Sequence, residues 1–73
     1  MASATVTIQL NGEPRGVNEQ ITVSDLLREL NIKPDRVAVE LNLEIVERQM
    51  FDTRLLKEGD RVEILSFIGG GRE

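Results

Sequence analysis

Three consecutive glycines, Gly69, Gly70 and Gly71, stand near the end of the 73-residue chain and carry its clearest chemical signal. Glycine has no Cβ, so its backbone can approach a ligand or an enzyme wall closely, although ordering it costs conformational entropy. One interpretation is a frayed end with little selection on residue type. The other is a mobile segment that threads a narrow site in a partner protein and delivers an acyl group there.

Side-chain chemistry is scarce elsewhere, because the chain contains no Cys and no His. These residues supply thiol nucleophiles, zinc ligands and groups that titrate near neutral pH. No acid–base pair or nucleophile constellation is evident either. We therefore expect a protein that is not an enzyme and that binds no metal or cofactor of its own.

The charge balance also excludes several classes of partner. Nine basic residues stand against 13 acidic ones, giving a net charge of −4, and the basic residues are scattered. Phosphate binding needs a clustered cationic face, and two Phe are too few for a base-stacking platform. The apolar runs are too short to span a membrane or to form a signal peptide. We expect no nucleic acid, no membrane and a cytoplasmic location.

The elements that must position the glycines begin with a β-hairpin. Residues 5–10 alternate polar and apolar side chains, which predicts a strand with Val6, Ile8 and Leu10 in the core. Asn11-Gly12 favours a type I′ turn. The returning strand, residues 15–19, is predicted to be an edge strand, which suits the proline just before it.

An amphipathic helix follows the hairpin. Thr22 is a good N-cap residue, with Asp25 as an acidic variant of the capping box and Ile21 and Leu26 as a hydrophobic staple. Asn31 can end the helix. The apolar stripe that faces the sheet comprises Val23, Leu26, Leu27 and Leu30.

The second half of the chain is predicted to contain three more segments of strand. Residues 37–41 alternate, residues 43–46 form a hairpin partner, and residues 61–68 form a last strand. Leu43 is a poor turn residue, which leaves the type of that turn open. Residues 47–57 have no clean period and are predicted to be mostly loop.

This order of elements predicts an α+β, ubiquitin-like β-grasp fold. One helix must pack across one face of a mixed sheet of four to five strands, with the last strand beside the first and parallel to it. The predicted domain spans residues 1–68, followed by a flexible glycine-rich tail, residues 69–73. The predicted core comprises Val6, Ile8, Leu10, Val23, Leu26, Leu27, Leu30, Val37, Val39, Val62 and Ile64.

The last strand also offers a candidate surface for docking. Glu63, Leu65 and Phe67 share one face of the predicted strand, so an exposed apolar spot would lead into the tail if Glu63 faces water. The alternative is that the strand is covered on both faces, or that Met50 and Phe51 fold over it. An acidic face that steers a basic partner is a further hypothesis, with ordinary solvated charge as its alternative. Its members would be Glu40, Glu44, Glu47 and Glu63.

Taken together, the segments resemble the sulfur-carrier family of β-grasp proteins, the ThiS/MoaD family, and most closely its thiamine-biosynthesis branch. The resemblance covers almost the full chain in register. It rests on Ile8-Gln9-Leu10-Asn11-Gly12-Glu13, Thr22-Val23-Ser24-Asp25-Leu26-Leu27-Arg28-Glu29-Leu30, Val37-Ala38-Val39-Glu40-Leu41-Asn42, Glu44-Ile45-Val46-Glu47-Arg48, Glu58-Gly59-Asp60-Arg61-Val62-Glu63-Ile64-Leu65 and Phe67-Ile68-Gly69-Gly70-Gly71.

The resemblance implies a function for the glycines. In this family an adenylyltransferase of the ThiF type uses ATP to activate the terminal glycine carboxylate, and a persulfide donor then yields a thiocarboxylate. A thiazole synthase of the ThiG type receives that sulfur. Gly71 is the implied reactive terminus and Gly70 the second choice, with Gly69 completing the segment that threads the partner.

Two features depart from the family pattern. Arg72 and Glu73 follow the glycines where members usually end, so the chemistry requires a peptidase to remove them, unless they were added or the protein is not an active carrier. Leu43 stands where many relatives have a glycine. Alternatives are a sulfur carrier for molybdopterin, tRNA thiolation or cysteine synthesis, and a ubiquitin-like modifier or interaction module that is not a carrier.

Overall fold

The computed structural model describes residues 4–67. Across that range it contains five strands, one α-helix and two short 3-10 helices. In chain order they are β1 (Thr5–Leu10), β2 (Glu13–Asn18), α1 (Val23–Glu29), a 3-10 helix (Pro34–Arg36), β3 (Val37–Leu41), β4 (Glu44–Val46), a second 3-10 helix (Arg48–Met50) and β5 (Arg61–Ser66).

All five strands lie in one mixed sheet with the order β2-β1-β5-β3-β4. The β1–β2, β3–β4 and β3–β5 pairs are antiparallel, whereas β1 and β5 run parallel. Three members of the predicted apolar stripe lie in α1 and are buried, with Val23, Leu26 and Leu27 at most 1% exposed. The predicted β-grasp fold, the edge position of β2 and the parallel pairing of the first and last strands are therefore confirmed.

Both tight hairpins turn through two residues in the left-handed region. In the first, Asn11 has φ 50° and Gly12 φ 85°, as a type I′ turn requires. The turn pairs Leu10 with Glu13, so β2 begins two residues earlier than predicted. In the second, Asn42 has φ 54° and Leu43 φ 72°, which is a strained conformation for leucine.

Hydrogen bonds close both ends of α1 as its sequence predicts. Thr22 Oγ1 accepts from the Asp25 backbone N–H (3.1 Å), and Asp25 Oδ2 accepts from the Thr22 N–H (3.0 Å). The hydrogen bond that the Thr22 backbone N–H donates to the carboxylate is the main cause that lowers the pKa of Asp25, because it favours the charged form. At the other end Asn31 has φ 59°, and the Ile32 N–H donates to the Leu27 carbonyl (2.9 Å), which forms a Schellman motif.

The prediction of mostly loop for residues 47–57 missed two anchors of the core. Phe51 is 3% and Leu56 is 2% exposed. The Phe51 carbonyl accepts from the Ser24 N–H, and the Leu56 N–H donates to the Ile21 carbonyl, each at 2.9 Å. The segment is thereby tied to the N-terminal end of α1. Isolated anchors of this kind produce no hydrophobic period, so the sequence pattern gave no signal for them.

The hydrophobic core lies between α1 and the inner face of the sheet. Its buried members are Ile8, Val17, Ile21, Val23, Leu26, Leu27, Val37, Val39, Leu41, Val46, Phe51, Leu56 and Val62. Four predicted core residues, Val6, Leu10, Leu30 and Ile64, pack against it but are only half-buried. Among residues 4–67, no helix is long and apolar enough to cross a membrane.

Candidate docking surface

The strand that leads towards the glycines, β5, lies in the middle of the sheet. It has β1 on one side and β3 on the other. Val62 is fully buried, and Ile64 packs against the core, so the residues that alternate with them point to the outer face. Glu63 and Leu65 therefore lie on the side of the sheet opposite α1, as their parity predicts.

Four apolar side chains form one exposed area on this face, which we call the outer patch: Ala38, Ile45, Leu65 and Phe67. Ala38 on β3 stands directly opposite Leu65 on β5. Ile45, Phe67 and Ala38 line one shallow groove. Leu65 is 52%, Phe67 64% and Ile45 65% exposed. An apolar area of this kind, beside charged residues, is typical of a surface that binds another protein.

The alternative in which the last strand is covered on both faces is not what the structure has. Leu65 and Phe67 each keep more than half of their surface exposed, so Met50 and Phe51 do not fold over them. The Phe67 N–H donates to the Arg36 carbonyl (2.9 Å), which continues the ladder one residue past β5. The backbone of Phe67 is thus held beside β3 while its ring remains exposed. Leu65 and Phe67 are thus exposed, and their role in docking stays a prediction.

Acidic residues border the outer patch, but not all four that the hypothesis named. Glu40 stands opposite both Glu63 on β5 and Ile45 on β4, so the two carboxylates share the outer face. Arg61 Nε lies 3.9 Å from Glu63 Oε2. Glu47 lines the groove with Ile45, whereas Glu44 pairs with the buried Leu41 and so lies on the other face.

Sequence reasoning missed Ile45 as a member of the outer patch. Because Val46 faces the core opposite Val39, Ile45 must face outwards, but this follows only once the β3–β4 register is known. It also missed a second role of Asn11. The Asn11 amide accepts from the Ile64 N–H (2.8 Å) and donates to the Ile64 carbonyl (3.4 Å), so it substitutes for β1 where that strand has ended.

The predicted reactive glycines, Gly69, Gly70 and Gly71, lie outside the described residues. Gly69 comes two residues after Phe67 in the sequence, so the outer patch is adjacent in the chain to the segment that would carry the chemistry. Among residues 4–67, no group of three or more acidic side chains is arranged to hold a metal ion. The candidate docking surface thus lies close in the chain to the glycines that are predicted to react.

A mixed five-stranded sheet crossed by one helix, with its last strand central and parallel to its first, defines a ubiquitin-like β-grasp protein. Sequence comparison places the chain more narrowly. The sequence pattern of the ThiS family matches residues 8–71, and the chain belongs to that family. The matched stretch includes all three glycines and stops before Arg72.

Three relatives illustrate the similarity. The crystal structure of a thiamine biosynthesis protein (ThiS) from Geobacter metallireducens superposes with a TM-score of 0.78 at 42% identity, covering 90% of this chain and 100% of that one. The sulfur carrier protein ThiS of Thermus thermophilus is 38% identical over 64 residues, which are 88% of this chain and 98% of the relative. A thiazole synthase of Paramagnetospirillum magneticum is 44% identical over 64 residues, 88% of this chain but only 20% of that protein.

Proposed function

We propose that the protein is a sulfur carrier in thiamine biosynthesis, which holds sulfur as a thiocarboxylate on its C-terminal glycine. The observation that carries the proposal is the family match, which extends through Gly71. Membership is supported by relatives named as sulfur carriers and by a solved ThiS structure at 42% identity. The carrier contributes a docking surface and a tail, and its partners perform the catalysis.

The chemistry explains why a chain without cysteine can carry sulfur. In the proposed first step, a carboxylate oxygen of Gly71 attacks the α-phosphorus of ATP in the activating enzyme, which releases pyrophosphate and leaves an acyl adenylate. The terminal sulfur of a persulfide donor then attacks the carbonyl carbon and displaces AMP. A thiol then attacks the donor's sulfur in the resulting acyl disulfide, forms a new disulfide with the donor and frees the thiocarboxylate. Adenylation is needed because a carboxylate is a poor electrophile.

This chemistry requires Gly71 to carry the terminal carboxylate. We therefore propose that a peptidase removes Arg72 and Glu73 before activation, with Gly70 as the alternative terminus. The intact mass of the protein purified from its own cells tests this step. The expected result is loss of both residues together with the mass increment of one oxygen replaced by sulfur. The proposal would be refuted if the cellular protein is full-length and if the chain shortened to Gly71 is also inert with the activating enzyme and ATP.

We propose two partners that share the outer patch, an adenylyltransferase of the ThiF type and a thiazole synthase of the ThiG type. The second is supported by the thiazole synthase in which a stretch similar to this chain makes up 20% of the protein. The Glu40–Glu63 pair favours a partner with basic residues over a second copy of this chain, because two such copies would bring like charges together.

Two matched substitutions test the role of the outer patch. Leu65→Glu is expected to weaken binding to the activating enzyme about tenfold or more, because it places a charge in an apolar contact. Leu55→Glu is the control, since Leu55 is similarly exposed (48%, against 52% for Leu65) but lies outside the patch. Equal affinities of the two variants, measured by titration calorimetry with thermal unfolding as a check on folding, would exclude the outer patch as the docking surface.

A further inference from the structure

The inner side of β5 opens onto a groove that the sulfur-carrier function does not explain. The groove has a volume of about 550 Å³ and lies between the end of α1 and the last residues of β5. Its apolar floor is formed by Leu10, Leu30, Ile32 and Ile64, which all pack on the core while remaining half-exposed. We call it the inner groove.

The groove exists because two elements, β1 and α1, end before they can cover the last residues of β5. Pairing of β1 with β5 stops at Leu10 opposite Val62, yet β5 continues to Ser66. The hairpin turn leads the chain away to β2 at this point, and on this side of β5 the Asn11 amide continues the hydrogen bonding as far as Ile64. The last helical residue of α1 is Glu29, so the helix gives no cover there. Apolar side chains that a longer strand or helix would bury are left accessible.

The charges around the inner groove are opposite to those of the protein as a whole. Lys33 and Arg36 line it, and none of the acidic residues between positions 4 and 67 does, although the chain carries a net charge of −4. Within residues 4–67 the ion pairs involve Arg15, Arg28 and Arg61, and neither groove cation takes part in one. The groove therefore favours an apolar group that has a carboxylate beside it.

We propose that the inner groove receives an acidic, apolar-anchored segment of the partner protein that takes the tail. This inference rests on the proposed function, since it assumes that such a partner exists. The outer patch and the inner groove lie on opposite faces of the same strand, immediately before the glycines. Such a partner contacts β5 on both faces. Its basic groups lie beside Glu40 and Glu63 at the outer patch, and its acidic groups lie beside Lys33 and Arg36 at the inner groove.

Charge reversal tests the proposal in the full chain and in the chain ending at Gly71. Lys33→Glu and Arg36→Glu, made singly, are each expected to weaken binding to the activating enzyme or to the thiazole synthase of the same genome by about fivefold or more. Lys57→Glu is the control, because it makes the same change in net charge at an exposed residue that lies outside the groove. Equal weakening by all three substitutions would overturn the proposal, since it would reflect net charge alone.

Methyl NMR of the unmutated protein gives a second readout that does not depend on variants folding. A soluble paramagnetic agent should broaden the methyl signals of Leu30, Ile32 and Ile64 in the free chain and spare them in the complex. Signals that remain broadened in both complexes would overturn the proposal. So would protection that appears in the free chain with rising protein concentration, which identifies a second copy, or that disappears on trimming to Gly71, which identifies the chain's own end.

The inference and the proposed function fail in different ways. A protein that is activated and binds its partners while the inner groove stays exposed to the agent rejects the inference alone. A protein that binds neither partner at all rejects the proposed function, and the inference falls with it.

Discussion

Replacing Leu43 by glycine is expected to stabilise the protein, because this leucine holds a backbone conformation that its Cβ opposes. Leu43 is the second residue of the β3–β4 turn, with φ 72°. The left-handed conformation costs an L-residue roughly 1–2 kcal/mol, which glycine avoids. Glycine also gives the unfolded chain more freedom, which subtracts roughly 0.4–1 kcal/mol. Since the side chain is 70% exposed, little apolar burial is lost with it.

At the midpoints of these two ranges the net gain for Leu43→Gly is about 0.8 kcal/mol, or a rise in Tm of about 3–6 °C for a domain of this size. Urea unfolding followed by circular dichroism measures it as an increase in midpoint at constant slope. Leu43→Ala is the matched control, because alanine removes the side chain but keeps the Cβ. We expect it to lie within about 0.5 kcal/mol of the unmutated protein. An alanine variant as stable as the glycine variant, or a glycine variant that is destabilised, would refute the strain argument.

Three further predictions concern stability. Asp25→Asn should destabilise the protein at pH 7. Because folding lowers the pKa of Asp25, the stabilisation by its carboxylate is complete above the ordinary value of 3.8 and is lost as pH falls through the folded pKa. The difference in free energy of unfolding between the variant and the unmutated protein should therefore close when unfolding is measured at increasingly acid pH. Leu26→Ala removes a fully buried side chain and should cost about 2–5 kcal/mol, visible as a lower urea midpoint. Asp60→Ala leaves the Lys57 N–H (2.7 Å) and the Asn42 amide (3.0 Å) without their acceptor and should cost about 1–3 kcal/mol in calorimetry, with Asp60→Asn in between.

The sequence predicted those parts of the fold that depend on local chemistry. The alternation of residues 5–10, the Thr22 capping box and the Asn11-Gly12 turn each have a stereochemical cause that acts within a few residues. The parallel pairing of β1 and β5 followed from the crossover after the first hairpin, which lets the last strand lie beside the first. The exposure of Leu65 and Phe67 followed from parity, although sequence alone left open whether another element covers them.

The remaining features depend on where separate elements stop, and local patterns do not encode this. Phe51 and Leu56 are buried although they belong to a segment without hydrophobic periodicity. Ile45 is placed in the outer patch by the β3–β4 register. The inner groove arises because β5 extends beyond the end of β1. This offset depends on the register between two strands that are far apart in the chain. The tail glycines lie outside the described residues, and their role rests on family membership and on the proposed chemistry.

The parallel pairing of β1 and β5 fixes where an upstream extension of the chain would lie. Gln9 stands level with Arg61, Ala4 lies five residues before Gln9, and Ser66 lies five residues after Arg61. At about 3.3 Å per residue, Ala4 and Ser66 are therefore separated by roughly 30 Å along the strand direction. An affinity tag or a whole domain fused ahead of Ala4 is thus attached at the end of the sheet that is remote from Phe67. A fusion at that end leaves the outer patch accessible.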